Sequence, residues 1–296
     1  MLGEHFKKYR LNARVSQHYF EPFGISQSTV SHFELTNDVK LSIFANLLQS
    51  LGLSYFEFFA ERNEDGLLNF ADDLAHLYRK RDIDGLINLK SEITKHNLTS
   101  HQNKVLISML NFLLHNLDSK FPFSAKDNTT INNSLVNFNS FSSRFELFIL
   151  GNCISTINQE LSSNYCSLLL NLIRNNECVP FKRQLSLKVL FNLVVCFLDA
   201  KDMDQASFLI EEIAKNLHDV DFLIKIKLQA VKAIIFQLRG DFNNYSILKY
   251  ETILTLSKYC SAATTAENEQ IFNYAESLTG AEPNWHFSQW LDIITL

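Results

Sequence analysis

The sequence predicts an all-α fold, and three observations lead to that prediction. The 296 residues include only 8 glycines and 4 prolines, too few for the frequent tight turns of a strand-rich fold. The residues of an apolar stripe recur at three- and four-residue steps, as at Leu185, Val189, Asn192 and Cys196, which is the spacing of one helix face. A segment of about 40 residues also recurs in the second part of the chain.

The composition narrows the class of protein. With 46% hydrophobic and 20% charged residues, the chain has the composition of an ordinary globular protein. Its net charge of −5 excludes a protein that binds nucleic acid over its whole surface. No apolar run approaches the roughly 20 residues of a membrane span, and the first residues, MLGEHFKKYR, lack the apolar centre of a signal peptide. We therefore expect a cytoplasmic protein with no membrane partner.

Catalytic and metal-binding motifs are missing from the sequence. There is no phosphate-binding glycine loop, no HExxH and no GxSxG, so we expect no enzyme and no cofactor. The five cysteines are odd in number and widely spaced, which favours buried free thiols over a metal site or a disulfide. They are Cys153, Cys166, Cys178, Cys196 and Cys260.

Periodicity divides the chain into two domains, residues 1–63 and 67–296. The first domain is predicted to contain about five short helices, and the polar stretch ERNEDG at residues 61–66 is the predicted seam. Helices of roughly 12–18 residues are predicted to follow one another in the second domain. The polar segment 118–134, rich in Asn and Thr, is predicted to be a surface loop.

Three segments of the second domain align without gaps around Asp82, Asp202 and Asp241. A period of roughly 34–47 residues is typical of two-helix solenoids of the TPR or HEAT kind, and the aspartate would begin the turn between helix A and helix B. The alternative is a coincidental similarity among amphipathic helices, which the shared columns make the weaker explanation. Those columns are a large apolar residue five positions before the aspartate (Leu77, Phe197, Phe236), an apolar residue directly after it (Ile83, Met203, Phe242), a leucine seven after it (Leu89, Leu209, Leu248) and a glutamate ten after it (Glu92, Glu212, Glu251).

Residues 16–35, SQHYFEPFGISQSTVSHFEL, predict a helix-turn-helix. A first helix would open at Ser16 and end by Gly24, and Ser26 would cap a second helix running to Leu35. Val30 and Phe33 would then point inward. The outward face would carry small hydroxyls, an amide and an imidazole near the helix N-terminus, which are groups that reach base edges in a DNA groove.

The segment GISQSTVSHFE resembles the recognition-helix pattern of lambda-repressor-like (Cro and XRE type) domains, and the predicted helices 2–13, 41–51 and 54–60 fit the same domain. With its helical repeats, the whole chain resembles Rgg/GadR/MutR-type regulators, a class of cytoplasmic receptors for small peptide pheromones. The resemblance implies a DNA-binding N-terminal domain and a TPR-like domain that dimerises and takes a short linear peptide on its concave face. The chain departs from typical members at His32, Leu35 and Thr36, where they carry Arg or Lys and a Gly.

Candidate DNA contacts fall into two sets. Residues 1–61 contain five basic and six acidic side chains, so we expect one domain alone to bind DNA weakly. We therefore expect a homodimer on a palindromic operator, with the two recognition helices about 34–36 Å apart. The competing function is a helical-repeat scaffold or antitoxin-like adaptor without DNA readout. The predicted contacts are Gln17, Gln27, Ser28, Thr29, Ser31 and His32 for bases, and Lys7, Lys8, Arg10 and Lys40 for phosphates.

A column of asparagines is the candidate peptide site. Asn111, Asn152 and Asn192 recur at about the repeat length inside apolar helices, and an amide both donates to and accepts from a peptide backbone. FELFILGN also resembles a segment of Rgg-type regulators in which the asparagine lies in the peptide pocket. Arg144 and Phe148 share a face with Asn152, and Lys188 shares one with Asn192, so that cations would hold a carboxylate. The alternative is that these asparagines bridge neighbouring helices.

The C-terminal segment WHFSQWLDIITL, residues 285–296, is apolar on too many sides to remain in water. We expect it either to cap the last repeat or to cross to a partner subunit.

Overall fold

The computed structural model describes residues 2–60, 66–93, 99–135, 143–157, 159–174 and 180–278, and every regular element within them is helical. The chain forms two compact units, Met1–Asn69 and Phe70–Leu296, and the boundary between them falls within helix α5. In chain order the elements are α1 (Leu2–Asn12), a 3₁₀ helix (Gln17–Phe23), α2 (Gln27–Thr36), α3 (Leu41–Ser50), α4 (Tyr55–Ala60), α5 (Gly66–Arg79), α6 (Ile83–Glu92), α7 (Ser100–Leu117), α8 (Ala125–Leu135), α9 (Arg144–Cys153), a 3₁₀ turn (Ile154–Thr156), α10 (Gln159–Arg174), α11 (Pro180–Asp199), α12 (Met203–Ala214), α13 (Phe222–Leu238), α14 (Phe242–Tyr259) and α15 (Ala262–Ser277).

The first unit is a small helical domain around an aromatic core. Phe6, Phe20, Phe33 and Phe58 are fully buried, and the rings of the core lie in tilted or edge-on contacts, the arrangements that ring quadrupoles favour. Helix α1 crosses the end of α2 at Gly3, where a Cβ atom would lie 1.9 Å from the carbonyl oxygen of Phe33. Only glycine allows this crossing.

The second unit consists of consecutive helices packed in two layers. From α6 to α9, and again from α10 to α15, each helix contacts the next, and the odd-numbered helices α7, α9, α11, α13 and α15 also contact one another in sequence. This is the packing of a TPR-like repeat, in which every repeat buries its apolar face against its neighbours. Helix α11, enclosed by α9, α10, α12 and α13, is buried over most of its length.

The repeated aspartates cap the second helix of each pair. Asp82, Asp202 and Asp241 each accept a hydrogen bond from the backbone three residues on, and each backbone N–H donates to the carbonyl five residues back. The preceding residue has positive φ in every case, at Arg81, Lys201 and Gly240, which completes a Schellman turn. The aspartate therefore ends the turn as the helix cap, and its predicted place as first turn residue was wrong by about two positions.

One predicted loop contains a helix. Residues 118–134 overlap α8, whose first turn is capped by Ser124 Oγ accepting from the Asp127 N–H at 3.1 Å. Ile131 and Leu135, one turn apart, are buried. The cap and this apolar pair outweigh the low helix propensity of the Asn and Thr residues. Residues 61–65 of the predicted seam, and the segment 285–296, lie outside the described residues, and the exact domain limits stay a prediction.

The cysteines of the described ranges carry free thiols. Cys153 is buried, whereas Cys166, Cys196 and Cys260 are half-buried, and Cys178 lies outside those ranges. Burial raises the pKa of Cys166 to about 11 and that of Cys196 to about 12, so both are protonated near neutral pH. No helix that the structure describes is long and apolar enough to cross a membrane.

Candidate functional site

The turn of the N-terminal motif forms where it was predicted, but its first helix is 3₁₀. Ser16 has extended backbone and gives no side-chain cap, and Gly24 takes the left-handed conformation at φ 78°, which costs glycine little. Pro22 lies inside this helix. In an α-helix the proline ring would clash with the carbonyl four residues back, which is consistent with the tighter winding.

The second helix of the motif presents the predicted outer face. Ser26 Oγ accepts from the Thr29 N–H at 3.2 Å, and Val30 and Phe33 are fully buried. Ser28 and His32 are exposed, whereas Thr29 and Ser31 are half-buried. Leu35, at the end of the same face, is 75% exposed.

A hydrogen-bonded network holds the amide at the start of this face. The Arg10 guanidinium donates to both carboxylate oxygens of Glu34, at 2.6 and 3.0 Å, and also to the carbonyl of Val15 at 2.9 Å. The Gln17 amide donates to Glu34 at 2.8 Å, and the Gln27 amide donates to Gln17 at 2.6 Å. The buried ion pair thereby fixes Gln17, and Gln17 fixes Gln27 at the N-terminus of α2.

Arg10 was predicted to contact phosphate, and the structure corrects that prediction. The residue is 6% exposed, and its guanidinium is directed to Glu34 and Val15. Separating a buried pair leaves an uncompensated charge, which is strongly unfavourable. Arg10 is a structural residue, and sequence reasoning missed Glu34 as its partner because nothing in the spacing of the two residues brings them together.

The remaining predicted phosphate contacts are exposed. Lys7 and Lys8 lie on α1, and Lys40 precedes α3. The α3 N-terminus has no side-chain cap, and an uncapped N-terminus is suited to an anion. Arg14, also exposed, is a further cation of this unit that the prediction did not include.

In the second unit, the asparagines predicted to meet a peptide are directed into the protein. Asn192 is fully buried and its amide donates to the carbonyl of Gly151 at 2.9 Å, which joins α11 to α9. Asn152 is 4% exposed and its amide donates to the carbonyl of Phe148 one turn back. Phe148 is itself fully buried against Phe70, with ring centroids 6.3 Å apart. Asn192, Asn152 and Phe148 therefore belong to the core in this conformation. The alternative, in which the asparagines bridge neighbouring helices, describes Asn192.

Asn111 also joins two helices. Its amide donates to the Asp127 carboxylate at 2.9 Å, from α7 to α8. Burial raises the pKa of Asp127, but hydrogen bonds from Ser124 and Asn111 outweigh burial, so the net pKa is lowered. The carboxylate is thus held charged by the groups that fix α8.

The two predicted cations, Lys188 and Arg144, lie beside the contacts that these asparagines make and are less buried. Lys188 is half-buried and precedes Phe191 by three residues and Asn192 by four. Asn192 contacts α9, and the Phe191 ring lies 5.4 Å from the Lys227 ammonium of α13, so Lys188 lies on the helix face between those directions. Phe197, nine residues on and therefore on the opposite side, lines a groove with α10 and α12.

Arg144 extends this face to α9. Its guanidinium lies 4.5 Å above the ring of Phe181, at the start of α11, and Phe181 shares a helix face with Lys188 seven residues on. We call Arg144, Phe181, Lys188, Phe191 and Lys227 the inner face. Phe181, Phe191 and Lys227 were missed from the sequence, because only the packing of α9, α11 and α13 brings them beside the two predicted cations.

Comparison with known proteins adds a family and a fold. Residues 87–249, more than half of the chain, match the family model described as "HTH-type transcriptional regulator Rgg, C-terminal domain". A proposed transcriptional regulator of Listeria monocytogenes EGD-e is similar with a TM-score of 0.78 and 18% identity, over 93% of this chain and 97% of that chain. The SHP pheromone receptor Rgg2 of Streptococcus dysgalactiae is similar with a TM-score of 0.73 and 17% identity, over 92% and 99% of the two chains.

A second crystal structure of that receptor, a single-residue variant, has a TM-score of 0.72 at 18% identity, over 92% and 98% of the two chains. The TM-scores show a common fold, which is the all-helical architecture described above, and at these low identities the likeness extends to the fold alone. No curated protein matches the sequence.

Proposed function

Because the chain belongs to the Rgg family of helix-turn-helix transcriptional regulators, we propose that it reads DNA through α2 and is controlled by a short peptide on the inner face. The family consists of regulators and not of enzymes. Two further elements complete the proposal: a homodimer, and a palindromic operator that accepts two copies of α2 about one DNA turn apart.

The observation that carries the DNA part is the positioning of Gln27. One N–H of its amide is engaged by Gln17, which leaves a donor and the acceptor oxygen of the same amide for the edge of an adenine. A side chain already held in place loses less entropy when it binds than a freely rotating one. Ser28, Ser31 and His32 follow on the same helix face, as further groups for base edges.

Charge explains why a dimer is part of this proposal. Arg10 and Glu34 neutralise each other inside the first unit, so Lys7, Lys8 and Lys40 are the predicted phosphate contacts that remain. Phosphate contacts supply most of the non-specific affinity for DNA. Doubling them in a homodimer raises the affinity without any change within one domain.

The DNA part is tested by titrating the full chain against a duplex from upstream of its own gene, over a range of salt concentrations, with a scrambled duplex of equal length as control. The expected result is tighter binding to the upstream duplex and an affinity that falls steeply with salt. Equal, salt-independent binding to both duplexes would favour the scaffold or adaptor function.

The peptide part is supported by the chemistry of the inner face. Arg144 lies over the ring of Phe181, Lys227 lies over the ring of Phe191, and Lys188 shares a helix face with both rings. This combination is suited to a carboxylate next to apolar side chains. A receptor of the same fold, Rgg2, is described as a pheromone receptor. Asn111, Asn152 and Asn192 support the helices around this face and are not its contact groups in the proposal.

The peptide part is tested with labelled synthetic peptides from short reading frames beside the gene. Arg144→Ala and Lys188→Ala are expected to weaken binding at least tenfold, since each removes a charged hydrogen bond worth about 1.5–3 kcal/mol. The matched control is Lys232→Ala, an exposed lysine of α13. Equal effects of all three variants would place the peptide elsewhere.

A further inference from the structure

A groove lies between α10 and α12, on the side of α11 opposite the inner face. One face of α10 forms the first wall, and its lining residues recur at three- and four-residue steps from Ser163 to Arg174. Gln205 and Phe208 of α12 form the second wall, and Phe197 of α11 lies between the walls. The groove has a volume of about 460 Å³, within the roughly 300–1,000 Å³ of small-molecule sites.

The middle of the groove is apolar and only partly covered. Leu170 and Phe197 are 5% and 6% exposed, whereas Phe208 at the edge is 54% exposed. The wall from Ser163 to Arg174 covers about eleven residues, or roughly 16 Å of helix, so the volume is elongated. A long apolar chain that covers Phe208 removes apolar surface from water, which favours binding.

One end of the groove carries positive charge. Among the lining residues that the structure describes, Arg174 is the charged one, and it lies in the last turn of α10. Its guanidinium donates to Glu212 of α12, and the Lys215 ammonium donates to the same carboxylate at 2.6 Å, so two cations share one carboxylate. Because a guanidinium has five N–H donors, Arg174 is able to hold a second carboxylate by charge-assisted hydrogen bonds.

We propose that this groove is a further binding site, which takes an unbranched alkyl carboxylate of medium chain length. The carboxylate pairs with Arg174, and the alkyl chain lies along Leu170 and covers Phe208. Ser167 and Asn171, which are exposed, form a polar rim beside the chain. The site is distinct from the inner face, so this inference goes beyond the proposed function and does not rest on it.

Calorimetric titration of the full chain with three probes tests the chemistry of the ligand. Decanoate, kept below the concentration at which it forms micelles, is expected to bind at least tenfold more tightly than butyrate, which has the carboxylate but little chain. It should exceed decyltrimethylammonium, which has the chain but a cationic head, by the same factor. Undetectable decanoate binding, or equal binding of either other probe, overturns the proposal.

Substitutions in the groove test its location. Arg174→Gln is expected to weaken decanoate binding at least tenfold, because a charged hydrogen bond is lost, and Phe208→Ala about fivefold, because apolar contact is lost. The matched controls lie outside the groove and should keep wild-type affinity. They are Arg239→Gln, at an arginine paired with Asp204, and Phe242→Ala, at a ring that is 55% exposed. Equal losses in the groove variants and the controls overturn the proposal.

Thiol protection locates the ligand in the wild-type chain. Cys166 lines the groove, whereas Cys260 follows α14, and both are half-buried. Decanoate is expected to slow the alkylation of Cys166 by iodoacetamide at least threefold, measured by peptide mass spectrometry, and to leave Cys260 unchanged. Equal rates at Cys166 with and without decanoate overturn the proposal. Arg144→Ala should bind decanoate like the wild type, and loss of binding in that variant would place decanoate on the inner face instead.

Discussion

At the scale of single residues, polar side chains inside apolar helices of this protein mainly join elements of the fold. Asn192 ties α11 to α9, Asn111 ties α7 to α8, and Arg10 ties α1 to Glu34 of α2. Buried polar groups need partners, and in this protein the partners are neighbouring helices. The residues left for ligands are half-buried or exposed at the edges of those contacts.

Asn192→Ala is expected to lower the free energy of unfolding by about 1–3 kcal/mol, because the Gly151 carbonyl loses its buried donor. Urea titration of the variant beside Asn171→Ala, an exposed asparagine of α10, measures the difference. The control should change stability by less than about 0.5 kcal/mol. Unchanged stability together with lost peptide binding would instead return Asn192 to the ligand site.

Gln27→Ala is expected to weaken binding to the operator by about 1–3 kcal/mol and to leave binding to scrambled DNA unchanged, because a base contact is lost. Gln17→Ala should have a smaller effect in the same direction, since Gln17 acts by holding Gln27. Lys7→Ala is the contrasting control, with a similar loss on both duplexes and a shallower salt dependence. A Gln27→Ala loss of equal size on both duplexes would contradict base readout.

At the scale of elements, the repeated turn is defined by backbone conformation as much as by its aspartate. Arg81, Lys201 and Gly240 occupy the left-handed region in equivalent places, and only the last is glycine. The sequence columns exposed the aspartate, the apolar residue five positions before it and the leucine after it. The left-handed position has no fixed residue type and gave no column.

Arg81→Gly is expected to stabilise the second unit by about 1 kcal/mol, because glycine takes positive φ without the Cβ clash. Gly240→Ala is the opposite substitution at the equivalent turn, and should destabilise by a similar amount although no atom lies within 4 Å of the new Cβ. Denaturant midpoints of both variants decide the matter. Changes of the same sign in the two variants would show that backbone strain is not the governing term.

At the scale of the whole molecule, a buried ion pair makes stability depend on acid. Arg183 of α11 donates to Asp221, which precedes α13, at 3.0 Å. Burial raises the pKa of Asp221, but hydrogen bonds from Arg183 and from the backbone of His218 outweigh burial and lower the net pKa. A carboxyl whose pKa is lower in the folded than in the unfolded chain stabilises the folded state at pH values above its unfolded pKa. This contribution is lost as the pH falls through the folded pKa.

The stability of the full chain is therefore expected to decline as pH falls below about 4, the ordinary range for an aspartate, with Asp221 among the groups responsible. Unfolding titrations of wild type and Asp221→Asn over a pH series test this. The variant should be less stable at neutral pH, because Arg183 loses its charged partner, and its stability should fall less on acidification. Parallel pH curves would exclude Asp221 as a contributor.

The sequence by itself determined the local features of this protein. Hydrophobic period, caps and glycine placement are properties of neighbouring residues, so the all-helical fold, the Gly24 turn, the Ser26 cap and the repeated aspartates were all predictable. The helix α8 was missed because its propensity is low, and packing of Ile131 and Leu135 supplies what propensity lacks.

Only the tertiary structure decided which side of a helix a polar residue serves. Asn192 and Lys188 lie one turn apart on α11, and sequence spacing places them on one face. The packing of α9 against α11 buries the asparagine and leaves the lysine half-exposed. Arg10 is likewise buried by a contact distant in sequence, its ion pair with Glu34 of another helix. Burial depends on residues distant in sequence, and local spacing carries no record of them.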